Sequence, residues 1–243
     1  MDPFTLAPLA ALLEAASGAL LWVAATLQPL TGTSAAAAAI VLVTLLVRAM
    51  LVPTGIAQAK ADQTRARLAP GLRALQRRHR DDPERLRRET MRLYADENAS
   101  PLTGCAPILI QAPIIGVLYA VFLHPSIAGH ANALLTAELG GVPLGASLVG
   151  TLTTGASDPA TCALFGAIVL IIALVAEGTR RAFRPADDAA SVPGPLRLVG
   201  ALQFTTAVVA TMVPLAAAIY LVVTVSWTLG QRLVLRRIYP LPS

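Results

Sequence analysis

Apolar residues fall into long runs, roughly 35–57, 101–123, 160–177, 197–212 and 214–232, separated by shorter polar stretches. Each run approaches the roughly 20 residues a helix needs to cross a hydrocarbon layer. The pattern predicts an all-α polytopic membrane protein with five transmembrane helices: a first span at 35–57 and four more within 101–243. The last two runs are split by Pro214. A tight external turn there makes them two short spans rather than one tilted helix. Ahead of the first span, Leu9, Leu13, Ala16, Leu20, Val23 and Leu27 recur at helical spacing, with Glu14, Ser17 and Gln28 on another face. That pattern predicts an amphipathic helix within 1–34, lying in the external membrane interface.

Between the first two spans, residues 58–100 change character. Leu68, Leu72 and Leu75 recur at helix spacing, and beyond "RDDP" so do Leu86, Thr90, Leu93 and Tyr94. Asp82 is placed to cap a helix starting at Pro83, so a two-helix hairpin is expected, with Pro70 marking the start or a kink of its first helix. Arg73, Arg77, Arg78, Arg85 and Arg88 fall on the outward faces. They present either a solvated or lipid-headgroup-facing surface or a contact site for ribosomal RNA, another membrane protein or an arriving chain.

Charge then orients the spans. Only 14% of residues are charged against 55% hydrophobic, whereas soluble domains carry about a quarter charged residues. The net charge of +5 does not indicate a nucleic-acid binder, which needs a basic face on a soluble domain. Lysine and arginine are absent from 1–47 and 93–179 and concentrate in 58–100, 178–197 and 232–243. The positive-inside rule makes those three blocks cytoplasmic, with the N-terminus and 124–160 outside and the C-terminus inside. No positive n-region marks a cleavable signal peptide.

Candidate chemistry is sparse. Cys105 and Cys162 fall near opposite ends of different spans, too far apart for a disulfide, and read as small packing residues. His79, His124 and His130 are scattered, so no metal or nucleophile constellation assembles and enzymatic activity is not expected. No GxxxxGK[ST] loop is present, and no cofactor is implied. The anomaly is Arg48, alone in "LLVRAMLVP". A helix running on to Ala57 leaves it about 13 Å inside, by nine residues at 1.5 Å each, too deep for easy snorkelling. A charge at that depth costs about 2.5–3.5 kcal/mol on insertion scales and ordinarily faces protein or a water-filled cavity.

Residues 46–122 carry, in order, a membrane arginine followed by proline, a basic hairpin with "LAPGL" and "DDPE", then "MRLYADE" and "SPLTGCAPILIQAPI". This series resembles the YidC/Oxa/Alb membrane-insertase family. The likeness is weaker over 160–235, where "MVPLAAAIYLVV" is similar to the start of the family's last span, and 1–30 and 124–159 carry none. The resemblance implies a hydrophilic groove, open to the cytoplasm and to lipid but closed outside, in which Arg48 matches the family's arginine. By their chemistry Gln111, Gln203, Thr206, Tyr119, Tyr220 and Trp227 are candidates for its wall, together with Thr205, Thr211, Thr224 and Ser226. For each serine or threonine the favoured reading is instead a bond to its own helix.

The implied function is insertion of hydrophobic segments of nascent membrane proteins into the bilayer of a bacterial plasma membrane, without nucleotide hydrolysis. Possible partners are the Sec translocon and the ribosome. The tail after Trp227 is shorter than the basic ribosome-binding extension of some relatives. No large external domain precedes the first span, Ala216 stands where glycine is common, and Leu221 where tryptophan is. Two rival readings are a transporter or channel using Arg48 as an anion site, against which stand the lack of an internal repeat and the apolar "APIIGVLYAVFL", and a structural assembly factor.

Overall fold

The computed structural model describes residues 7–96, 106–127, 129–155, 158–183 and 195–240. In chain order the helices are α1 (Ala7–Thr31), a 3-10 turn (Gly32–Ser34), α2 (Ala35–Met50), α3 (Val52–Arg78), α4 (Pro83–Asp96) and α5 (Ala106–Leu123). After them come α6 (Ala133–Thr136), α7 (Leu148–Thr153), α8 (Pro159–Ala182), α9 (Pro195–Met212) and α10 (Leu215–Ile238). Two small antiparallel hairpins, β1 (Ser126–Ile127) with β2 (His130–Ala131) and β3 (Glu138–Leu139) with β4 (Val142–Pro143), flank α6. Three stretches among the described residues, Ala10–Met50, Pro159–Ala182 and Leu215–Ile238, are long and apolar enough to cross a bilayer. The protein is therefore predominantly helical and membrane-embedded.

The chain divides into two compact units. The first comprises Met1–Ala49 and Ile114–Leu229. Its core is built from helix faces of small and branched residues. On α8, Thr161, Phe165, Ile168, Ile172 and Ala176 are buried at three- and four-residue steps, the period of one helical face, while Leu170, Ile171 and Leu174 are exposed. Six successive residues of α10, Leu215 to Tyr220, are buried, so this end of the helix is enclosed on all sides. The apolar run is broken at Val213 and Pro214, where proline interrupts the helical hydrogen-bond ladder.

Residues 124–155 fold into a cap rather than a plain loop. Gly140 and Gly141, with φ of +61° and +83°, make the two-residue turn that joins β3 to β4, a conformation glycine adopts without the Cβ penalty. Leu134, Val142 and Leu144 are fully buried. The first amides of α10, which no helix can satisfy internally, are met by this cap: Leu215 N donates to Ala146 O at 2.8 Å and Ala216 N to Leu144 O at 2.9 Å. At the end of α5 the Asn132 amide does the converse, its Nδ2 donating to Val121 O at 2.8 Å and His124 O at 3.0 Å while Oδ1 accepts from Leu134 N.

α1 departs from the expected pattern. Leu13, Leu20 and Ala24 are buried, but so is Ser17, which the spacing placed on the polar side, while Leu12, Trp22 and Leu30 are exposed. The helix is apolar nearly all round, so periodicity could not single out the packed face. Cys162, expected as a packing residue, is exposed and free, because it sits in the first turn of α8 off the buried face that Thr161 and Phe165 share; Cys105 lies outside the described residues.

The second unit comprises Met50–Pro113 and Gly230–Ser243. α3 runs unbroken through Pro70, so that proline does not start the helix. The break falls earlier, at Leu51, before Pro53. Asp82 Oδ1 accepts from Arg85 N at 2.9 Å and caps α4, and Leu93 lies against Gly71. α8 and α10 run beyond the expected 177 and 232, to Ala182 and Ile238, ending on Arg180, Arg181, Arg236 and Arg237; cations favour helix C-termini.

Because Asn132 answers two carbonyls and an amide, Asn132→Leu should destabilise the first unit by about 1–3 kcal/mol, the cost of leaving buried groups unpaired. Asn132→Asp, an acceptor facing two acceptors, should be worse near neutral pH than in mild acid. Unfolding midpoints in mixed detergent at both pH values check this.

Candidate functional site

Arg48 lies in the last turn of α2, which ends at Met50 rather than running on to Ala57 as the apolar run predicted. The face leading to it is buried: Ala37, Ile40 and Thr44 precede it at helical steps, and the Thr44 hydroxyl returns its proton to Ile40 O at 2.6 Å. Arg48 itself is half-buried. Among the described residues no carboxylate pairs with it.

Its polar neighbour is the phenol of Tyr220 on α10, with which the guanidinium interacts electrostatically. No hydrogen bond of ordinary geometry closes between them, since the Tyr220 hydroxyl is buried without a partner, as is that of Thr224 one turn on. The Tyr220 ring is 3% exposed, so its position is fixed by packing. Its centroid lies 5.8 Å from that of Phe122 and 6.3 Å from that of Tyr119, both rings tilted, within the range of favourable aromatic pairs. α5 contributes this support because Tyr119 and Phe122 stand three residues apart on one helical face.

The structure thus brings Arg48, Tyr119 and Tyr220 together, with Thr224 beside them. Thr206 and Trp227 are half-buried on α9 and α10 of the same unit. The side chains of Gln111 and Gln203 lie outside the described residues. Thr211 bonds to Val208 O at 2.7 Å, and Thr205 and Ser226 are exposed. Arg73, Arg77, Arg78, Arg85 and Arg88 are all exposed, and none forms an ion pair among the described residues.

Sequence reasoning passed over Thr44 and Phe122. Each carried a signal: Thr44 stands one turn before Arg48, and Phe122 stands three residues after Tyr119. Asn132 carried none, because its partners are backbone atoms brought near by the fold.

Comparison with known proteins adds the decisive observation. The family model described as 60Kd inner membrane protein matches residues 26–241. The chain belongs to that family, the family of YidC and its relatives. With its apolar helices it is a multi-pass inner-membrane protein. Individual family members align over shorter stretches. A protein from Clostridium perfringens (strain 13 / Type A) named membrane protein insertase YidC is 42% identical over 83 residues, 34% of this chain and 35% of the relative. Its namesake in Actinobacillus succinogenes is 41% identical over 93 residues, 38% and 17% of the two chains. That of Oceanobacillus iheyensis is 35% identical over 97 residues, 38% of each. These alignments therefore cover well under two thirds of each relative's length.

Ring packing and hydroxyl can be separated at Tyr220. Tyr220→Phe should leave stability within about 1 kcal/mol of wild type, since the ring keeps its packing and no hydrogen bond of ordinary geometry to another protein group is lost. Tyr220→Ala should cost about 3–5 kcal/mol by removing the ring from its buried cluster. Denaturant titration of the two variants in detergent measures both.

Proposed function

We propose that the protein is a membrane-protein insertase, which moves hydrophobic segments of nascent chains from the cytoplasm into the bilayer. One observation carries the reading: in a chain of the YidC family, Arg48 is half-buried in an apolar helix with no carboxylate partner among the described residues. A charge held in this way suits a transient ligand, not a structural pair. The relatives named above are called insertases, which supports extending the activity to this chain.

In the mechanism, five spans surround a hydrated groove open to the cytoplasm and to lipid. The N-terminus lies outside, the C-terminus and the 58–100 hairpin inside, and residues 1–34 rest in the external interface. Water in the groove hydrogen-bonds the Tyr220 and Thr224 hydroxyls and solvates Arg48. The groove shortens the hydrocarbon barrier that a substrate's polar tail must cross, and Arg48 pairs briefly with an acid in that tail. Gln111, Gln203, Thr206, Tyr119 and Trp227 complete the groove wall.

Transfer of the apolar segment into lipid supplies the driving force, so no nucleotide is consumed. A single charge in water binds weakly enough to release. The basic hairpin surface, Arg73, Arg77, Arg78, Arg85 and Arg88, meets lipid headgroups, the ribosome or the arriving chain, and the Sec translocon is a possible partner.

Liposomes containing only this protein should insert a single-span substrate with an acidic tail, scored by protease protection of the tail. Arg48→Ala should lower the yield about three- to fivefold, the factor that losing about 1 kcal/mol of ion-pair attraction in a hydrated site gives, and Arg48→Lys should partly restore it. Wild-type insertion no better than empty liposomes contradicts the reading. Insertion that Arg48→Ala leaves untouched removes Arg48 from it.

A further inference from the structure

Within the second unit, the end of α10 lies along the first half of α3. Gln63 Nε2 donates to Pro240 O at 2.8 Å, across 177 residues of sequence. The Lys60 ammonium stands over the Tyr239 ring, 5.8 Å from its centroid. At Gly55 the side-chain amide of Gln231 occupies the space a Cβ would need, so only glycine lets it approach so closely. From Gly55 to Gln63 is about 12 Å of helix, and from Gln231 to Tyr239 the same, at 1.5 Å per residue. The contacts therefore recur along two matched lengths of chain.

This stretch of α3 needs holding. The helix begins just after Leu51, whose φ of −88° and ψ of 3° leave the helical range, and Pro53 supplies no amide to the first turn. The helical hydrogen-bond ladder is interrupted there. Among the described residues Lys60 pairs with no carboxylate: Asp62, the nearest acid in sequence, lies 3.8 Å from Arg65 instead. Ala61, between the two clasp residues, is buried. Tyr239 is itself held by the final helical turn, its amide donating to Leu235 O at 2.7 Å.

We infer that residues 231–240 form a strap that fixes the membrane-proximal half of α3, with Lys60, Gln63 and Tyr239 as its clasp. The strap sets where the basic hairpin starts and how freely it swings. It stands independently of the proposed insertase activity. The clasp at Tyr239 is a cation over a ring, so it requires an aromatic face and not the phenolic hydroxyl.

Hydrogen exchange on the full chain in lipid nanodiscs tests it. Tyr239→Leu and Lys60→Met should each speed amide exchange over residues 60–66 by about two- to fivefold, with exchange in α8 unchanged, because a local opening is made easier. Tyr239→Phe should exchange like wild type. In a Cys105→Ser, Cys162→Ser background, Gln63→Cys with Pro240→Cys should be joined by a short bifunctional maleimide. The strap is overturned if Tyr239→Leu exchanges like wild type, if Phe and Leu accelerate exchange equally, if exchange also rises in α8, or if the cysteine pair does not cross-link.

Discussion

The Arg48 guanidinium is a permanent charge, and no carboxylate among the described residues neutralises it. Much of the first unit can be understood as the means of holding that charge at a defined place. α2 presents it on the same face as its buried residues, below Ile40 and Thr44. α10 presents Tyr220 opposite, and α5 braces the ring with Tyr119 and Phe122. Lysine at this place would keep the charge but lose the planar fork with several donors that suits a carboxylate. A tight ion pair would neutralise that charge and leave none free for the substrate acid of the proposed function.

Rigidity comes from the opposite end. The cap of residues 124–155 satisfies the first amides of α10 and the last carbonyls of α5, the two helices whose aromatic residues meet at Tyr220. Its buried Leu134, Val142 and Leu144 join the same core. Tyr220 therefore sits one to two turns from a helix start pinned by tertiary hydrogen bonds, which limits how far the phenol can drift from the guanidinium.

Some of this was legible in the sequence. Arg48 stood out because a charge in an apolar run is costly, and the cap at Asp82 follows from Asp-Pro at a helix start. The break at Pro214 was visible for the same chemical reason. Tyr119 and Tyr220 could be chosen as polar handles on apolar helices, but their meeting depends on how α5 and α10 pack. Asn132 and the 124–155 cap were not legible: their hydrogen bonds are to backbone atoms remote in sequence. Ser17 misled because α1 is apolar on nearly every face, leaving no contrast from which to read direction.

Water at Arg48 is the point on which the account turns. In the Cys105→Ser, Cys162→Ser background, cysteine placed singly at 48 and 224 should react with a membrane-impermeant maleimide added from the cytoplasmic side of vesicles and not from the outside. Reaction at both positions from the cytoplasmic side alone is the predicted result. Protection from both sides, or reaction from the outside, contradicts a hydrated groove that opens only inward.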